Sequence, residues 1–217
     1  MPLETEIKLL VPRNAIAQIK QLPELLAAKA CTTQRLDNWY FDTPDLRLSS
    51  DKVALRIRKQ GSTYIQTFKT KGKSLNGLHQ RGEWEWLITK PEIDIGLLGE
   101  AEYPLAKQCA DWAIDLEIIF ATHFDRTVWI IEWPDSSTVI EVALDQGEVS
   151  YTSSQGKRYA DDICELELEL KSGSVEHLIA ASALFTGAIP ALMPSNISKA
   201  ERGYQLFERA HACGTND

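Results

Sequence analysis

Cys164-Glu165-Leu166-Glu167-Leu168-Glu169-Leu170 alternates acid and leucine without a break. A period of two is the signature of a β-strand, so the glutamates share one face and the leucines the other. Leu3-Glu4-Thr5-Glu6-Ile7-Lys8-Leu9 repeats the pattern, with Glu4, Glu6 and Lys8 on one side and Leu3, Ile7 and Leu9 on the other. Arg56 and Arg58 stand opposite Leu55 and Ile57, and Arg81, Glu83 and Glu85 opposite Trp84 and Trp86. Thr67, Lys69 and Lys71 share a face, as do Glu141 and Asp145, and Arg126 belongs to a further strand.

Taken singly, each such strand describes an ordinary sheet with one side in water. Taken together they do not. The charged faces are dense in carboxylates and guanidinium groups, largely sorted by sign from strand to strand, and their backs carry Trp, Leu and Ile that must be covered. Closing the sheet into a barrel turns the charged faces into a lumen, and eight strands leave room for side chains and one small ligand. Unpaired charge is too costly for a dry interior, so such a lumen holds water, cations and an anion. Clustered carboxylates suit Mg²⁺ or Mn²⁺, and clustered Arg and Lys suit phosphate. The ligand that needs both is a metal-bound polyphosphate.

Outward from these strands the chain reads as α+β, mainly antiparallel β, a closed eight-stranded β-barrel with helices packed outside. After Pro12, Ile16, Ile19, Leu22, Leu25 and Leu26 recur at helical spacing, interrupted at Pro23. Strands are predicted over 35–42, 53–59, 63–71 and 80–88, with a turn at Gly61 and a flexible polar loop over 72–77. Broken helical pieces fill 91–117. Strands follow over 118–133 and 138–145, and Gly147 introduces a further hairpin with its tip at 154–157 and its return over 158–171. An amphipathic helix spans 175–185. A last helix starts after Ser198, with Glu201 as capping-box partner, and runs through Ala210.

The chain has 217 residues, 44% hydrophobic and 25% charged, which fits one domain over 1–210 and a disordered tail over 211–217. No apolar run is long enough to cross a bilayer, and Glu4, Glu6 and Lys8 occupy the place of a signal peptide's apolar region, so a cytoplasmic protein without a membrane partner is expected. A net charge of −8 argues against nucleic acid as a partner. Cys31, Cys109, Cys164 and Cys213 are scattered with no CxxC pair, which points to buried reduced thiols rather than zinc. Trp39, Trp112, Trp129 and Trp133 read as packing residues, His79 as a surface residue and Ser198 as a helix cap. Tyr40 and Asp42 stay open between a structural role and the site.

Glu4-Thr5-Glu6-Ile7-Lys8 matches the N-terminal ExExK motif, and the chain thereby resembles the CYTH superfamily, the triphosphate tunnel metalloenzymes. Tyr40-Phe41-Asp42-Thr43-Pro44, Leu55-Arg56-Ile57-Arg58, Lys69, Arg81 with Glu83, Phe124-Asp125-Arg126, Ile140 to Gly147, Cys164 to Leu170 and Ser198-Lys199-Ala200 follow in family order over nearly the whole chain. Gly77 to Arg81, Leu144 to Val149 and Cys164 to Leu170 look closest to the bacterial inorganic triphosphatases. Many of those carry a C-terminal helical CHAD domain, which this chain is too short to hold, so either the tunnel stands alone or the chain is a piece of a longer protein.

The resemblance implies metal-dependent hydrolysis of inorganic triphosphate to pyrophosphate and orthophosphate. It implies metal ligands at Glu4, Glu6, Asp145, Glu165 and Glu167, with Glu169 extending the row. Phosphate-holding residues are implied at Lys8, Arg56, Arg58, Lys69, Arg126 and Lys199, and Arg81 is added to them. Glu4, Glu6, Lys8, Asp145 and Glu83 form the expected catalytic set, with Glu83 orienting Arg81 or a water. The cofactor is Mg²⁺ or Mn²⁺, the partner a small-molecule triphosphate, and the protein a monomer or homodimer. Class IV adenylate cyclase, thiamine triphosphatase and nucleoside triphosphatase activities share the fold and stay as alternatives, as does a non-catalytic polyphosphate or nucleotide sensor. A thiamine site would want an aromatic residue such as Trp39 or Tyr40 at the tunnel mouth.

Overall fold

A computed structural model describes residues 3–134 and 136–214, with the side chains of 213 and 214 left out. In chain order the elements are β1 (Leu3–Leu10), α1 (Ile16–Ile19), α2 (Pro23–Leu26), β2 (Cys31–Asp42), α3 (Arg47–Ser50), β3 (Ala54–Gln60), β4 (Thr63–Lys69), β5 (Lys73–Leu75) and β6 (Leu78–Ile88). They continue with α4 (Ile95–Glu100), α5 (Pro104–Lys107), α6 (Cys109–Trp112), β7 (Glu117–Glu132), β8 (Val139–Thr152), β9 (Arg158–Ser172), α7 (Val175–Ala188), β10 (Met193–Pro194) and α8 (Lys199–Gly214).

Eight strands close in the order β1-β9-β8-β7-β2-β3-β4-β6, with β6 returning to β1. All pairings are antiparallel. Short β5 extends the sheet from β6, and β10 from β1. Directly opposed residues in an antiparallel pair point to the same face. Glu4 opposes Arg81, Lys8 opposes Glu167, Asp145 opposes Glu165 and Arg126, and Tyr40 opposes Arg56. The charged faces of separate strands are therefore one continuous inner wall, as the alternation predicted.

The outer faces are covered in two patches. Ile7, Leu9, Val142, Leu144, Leu166 and Leu168 pack with Ile19, Leu22, Leu25 and the α7 residues Leu178, Ala181 and Phe185. Leu55, Phe68, Trp84 and Trp86 pack with Leu98, Leu105 and Trp112 from α4 to α6. Trp112 and Trp129 are buried in these patches as expected of packing residues. Asp42 proves structural. It accepts backbone hydrogen bonds from Leu48 (2.8 Å) and Ser49 (2.9 Å) at α3, and another from the Tyr204 hydroxyl of α8 (2.9 Å).

α8 takes a different seat from the other helices. Leu36, Tyr40, Phe120, Phe124, Val149 and Ile163 all carry inner parity, yet they form an apolar cluster with Tyr204 and Leu206 of α8. Tyr40 stacks on Phe120 at 4.6 Å between ring centroids, and Tyr204 meets Phe120 edge-on at 5.1 Å. Gly203 permits this approach, since a Cβ there would sit 2.0 Å from the Phe120 ring. Part of the lumen is therefore a dry plug, and the charged alternation gives no hint of it.

Several local readings change. β2 starts at Cys31, four residues early, because Cys31 to Gln34 pair with Trp129 to Arg126 although their side chains are largely exposed. Cys31 is exposed too, Cys164 half-buried and Cys109 buried, so burial does not hold for all thiols. Gly147 starts no hairpin and β8 runs through it to Thr152. A Cβ at Gly147 would lie 2.0 Å from the His123 carbonyl oxygen, so glycine marks a close strand approach instead of a turn. Within the expected 72–77 loop, Asn76 and Gly77, both at positive φ, join β5 to β6 as a tight hairpin. Asn-Gly is the preferred pair for this turn. That hairpin buries His79, whose ring meets Ser74 Oγ at 2.7 Å and the Ser195 carbonyl at 2.9 Å, so His79 is no surface residue. α8 extends through Gly214, so 211–214 continue the helix, while 215–217 lie outside the described residues.

Candidate active site

The inner wall encloses a cavity of about 190 Å³ lined by eight basic and seven acidic side chains. Among the predicted site residues, Glu4, Glu6, Lys8, Arg56, Arg58, Lys69, Arg81, Glu83, Arg126, Glu167, Glu169 and Lys199 all reach it. Asp145 and Glu165 do not line it, and both side chains are fully buried behind the lysines and arginine they hold. Glu85, Glu141 and Lys171 also line the cavity but were missing from the predicted set. The signal was available: Glu85 shares parity with Glu83, Glu141 with Asp145, and Lys171 continues the row Glu165-Glu167-Glu169.

Two ion clusters organise the wall. In the first, Lys8 Nζ donates to Glu167 (2.6 Å) and Glu165 (3.2 Å), and Arg126 grips Asp145 with two bonds of 2.7 and 2.6 Å. Arg126 also reaches Glu167 at 2.5 Å, and Lys199, the first residue of α8, meets Asp145 at 2.6 Å and Glu167 at 2.9 Å and pairs closely with Glu165. Ser198 and Glu201 exchange hydrogen bonds of 3.1 and 2.7 Å, the expected capping box, which fixes where α8 begins and hence where Lys199 stands. Burial would lower the Lys8 ammonium, but Glu165 and Glu167 outweigh it and hold Lys8 charged.

In the second cluster, Lys69 Nζ lies 2.9 Å from both Glu4 and Glu83. Arg81 donates to Glu4 at 2.7 Å and to Glu6 at 3.2 Å. Glu4 and Glu83 split apart in acidity. Burial would raise Glu4, yet Lys69 and Arg81 hold it well below the usual carboxylate range. Burial and the Glu4 charge instead push Glu83 up to about 7, against the pull of Lys69 and Arg56.

Two groups stand outside this mutual compensation. Arg58 donates to Asn38 Oδ1 at 2.9 Å and makes no ion pair among the described residues. Burial, with Arg56 and Arg126 crowding it, lowers its guanidinium to about 10. Tyr40 beside it is depressed as well: burial would raise its phenol, but Arg56, Lys199 and Arg58 prevail. This corner of the cavity is an excess of positive charge. Across three neighbouring strands, Glu6, Glu169 and Glu141 oppose one another in a row, and the Glu141 carboxylate makes no side-chain hydrogen bond or ion pair among the described residues.

The acidic residues fit a divalent cation by their chemistry. Asp145, Glu165 and Glu167 each bring a carboxylate oxygen within 4.8 Å of the others, and the buried Glu165 Oε2 has no hydrogen-bond partner. Every donor is a hard oxygen, the set that Mg²⁺ and Mn²⁺ prefer.

The CYTH domain profile matches residues 2–204. This chain belongs to the CYTH domain family. The inorganic triphosphatase of Haemophilus influenzae is 35% identical over 210 residues, covering 94% of this chain and 54% of that protein, so the chain spans about half the length of the curated relative it matches. Two solved structures share the CYTH fold at lower identity. A Hippeastrum protein, studied as an adenylyl cyclase and found to have a dominant triphosphatase activity, superposes with a TM-score of 0.62 at 20% identity, covering 95% of this chain and 96% of that one. A candidate adenylate cyclase of Bacillus halodurans gives 0.58 at 19% identity, covering 93% and 98%. Among the described residues, no helix of this CYTH domain is long and apolar enough to cross a membrane.

Proposed function

We propose that this chain hydrolyses inorganic triphosphate to pyrophosphate and orthophosphate, with Mg²⁺ or Mn²⁺ held in the charged cavity. The observation that carries this reading is Arg58, a cation without a carboxylate partner among the described residues, crowded by Arg56 and Arg126. An anion is the missing member of that arrangement, and a planar guanidinium grips phosphate oxygens with two bonds.

Arg56, Arg58, Arg126, Lys8 and Lys199 would hold the phosphate oxygens and straighten the chain for in-line attack. Their positions are set by the barrel and by the α8 cap, so little reorganisation is left for the moment of reaction. Glu4 and Glu6, with Glu165, Glu167 and Asp145 and with Glu169 extending the row, would hold the divalent cation, and Asp145 and Glu165 also keep Lys199, Lys8 and Arg126 aimed. When bound, the cation neutralises phosphoryl oxygens and lowers the pKa of water. Glu83, raised to about 7, is suited to accept a proton from the attacking water near neutral pH.

The aromatic residues favour an inorganic substrate. Trp39 has the parity opposite to Tyr40, which turns it away from the lumen, and Tyr40 is buried against Phe120, so neither forms a stacking platform at a mouth. The test is phosphate release from tripolyphosphate, ATP and thiamine triphosphate side by side, with Mg²⁺ or Mn²⁺ and with EDTA. Tripolyphosphate is expected to be preferred, and EDTA to stop release. Cyclic AMP formed from ATP, or binding without phosphate release, would overturn the reading.

A further inference from the structure

A second cavity of about 440 Å³ adjoins the first and shares Ala54, Lys69, Arg81, Ser198 and Ala200 with it. Its composition is different. Lys52, Lys69, Lys71, Lys73 and Arg81 line it against a single acid, Glu201, and Glu201 is already engaged by the backbone of Ser198. Lys52, Lys71 and Lys73 are exposed and make no ion pair among the described residues. They come from separate places: Lys52 precedes β3, Lys71 follows β4 and Lys73 opens β5. The chain as a whole carries −8, so three free lysines gathered at one opening are a local reversal of its charge.

From this we infer that the second cavity is an anion subsite for linear inorganic polyphosphate longer than triphosphate, taking the phosphates that extend beyond the charged tunnel. The inference rests on the triphosphate reading of the tunnel and extends it outward through Lys69 and Arg81, which touch both cavities. The lining favours phosphate over a nucleoside. It offers lysines, Ser49, Ser74 and Asn196, and its one aromatic residue, Tyr204, is buried with its hydroxyl on Asp42. Mobile lysines in water suit a repeating anion, whose charge they attract without demanding one geometry.

The experiment compares wild type with the triple variant Lys52→Ala, Lys71→Ala and Lys73→Ala by calorimetric titration with tripolyphosphate and with medium-chain sodium polyphosphate. Both proteins are first checked for the same thermal unfolding. The variant is expected to bind the medium chain roughly tenfold more weakly, the size that three exposed ion pairs supply together, and to lose much of its salt dependence. Tripolyphosphate binding should change by less than about threefold, since the tunnel is untouched. Equal medium-chain binding by the two proteins would overturn the subsite and leave the tunnel reading intact. An equal loss for both chain lengths would reduce the lysines to general attraction and overturn the subsite too. No binding of either anion to wild type would overturn the tunnel reading itself.

Discussion

Two parts of the same lumen have opposite contents. Around Lys8, Glu4 and Arg58 the inner wall is charged and encloses a cavity, whereas around Phe120 and Phe124 it is apolar and filled by α8. Both lie on the inner face of the barrel, and on β7 they are adjacent inward positions, with Phe124 two residues before Arg126. The two parts touch there: Phe124 lies under Arg126 at 5.7 Å and under Lys199 at 5.0 Å. A closed barrel is thus a container whose filling is chosen position by position. The charged part is held by ion pairs that need every partner, and the apolar part by shape.

Removing one partner tests the first half of that contrast and should give the largest effect. Lys8 is 1% exposed and bonded to two buried glutamates, so Lys8→Met leaves the buried Asp145, Glu165 and Glu167 cluster one cation short, with only Lys199 and Arg126 bonded to it. A loss of about 3–5 kcal/mol is expected in chemical denaturation, and a loss under about 1 kcal/mol would mean that water already screens the cluster.

Arg58→Ala separates function from stability. Tripolyphosphate turnover should fall roughly 100-fold, the scale of losing one preorganised charge-stabilising donor. The folded protein should lose no more than about 1 kcal/mol, the Asn38 hydrogen bond alone, because relief of crowding by Arg56 and Arg126 offsets it. A large drop in stability would show that Arg58 is structural.

Gly203→Ala tests the plug. The new methyl meets the Phe120 ring, itself buried against Tyr40, and should cost about 1–3 kcal/mol in thermal or chemical unfolding. Since α8 supplies Lys199, activity should fall with it; unchanged stability would mean that α8 is loosely seated.

The charged half was legible because strand parity leaves a direct trace in sequence. Glu165, Glu167 and Glu169 announce a face, and the same spacing at Glu4 and Glu6 or Arg56 and Arg58 announces its counterparts. What parity cannot tell is depth. Asp145 and Glu165 share the inner face with Glu141 and Glu167 but sit behind cations, a distinction set by which long side chain covers which short one. The plug was illegible for a related reason, since Phe120 and Phe124 look the same in sequence whether they face a helix outside or inside. Gly147 misled because close approach and turning both select glycine. Asn76-Gly77 is a hairpin turn signal, but three-residue β5 carries too little alternation to register as a strand.

β1 lies between β6 and β9, and the Tyr204 hydroxyl returns to Asp42 across 162 positions of sequence. The ring of strands therefore cannot close during synthesis until β9 has left the ribosome, and its interior stays open until α8 follows. Until β9 follows, the nascent chain carries Lys8 without Glu165 and Glu167, and the edges of β1 and β8 lack the strand that joins them. Loops of this length close slowly, which makes the interval before closure the period when the chain most needs protection from aggregation.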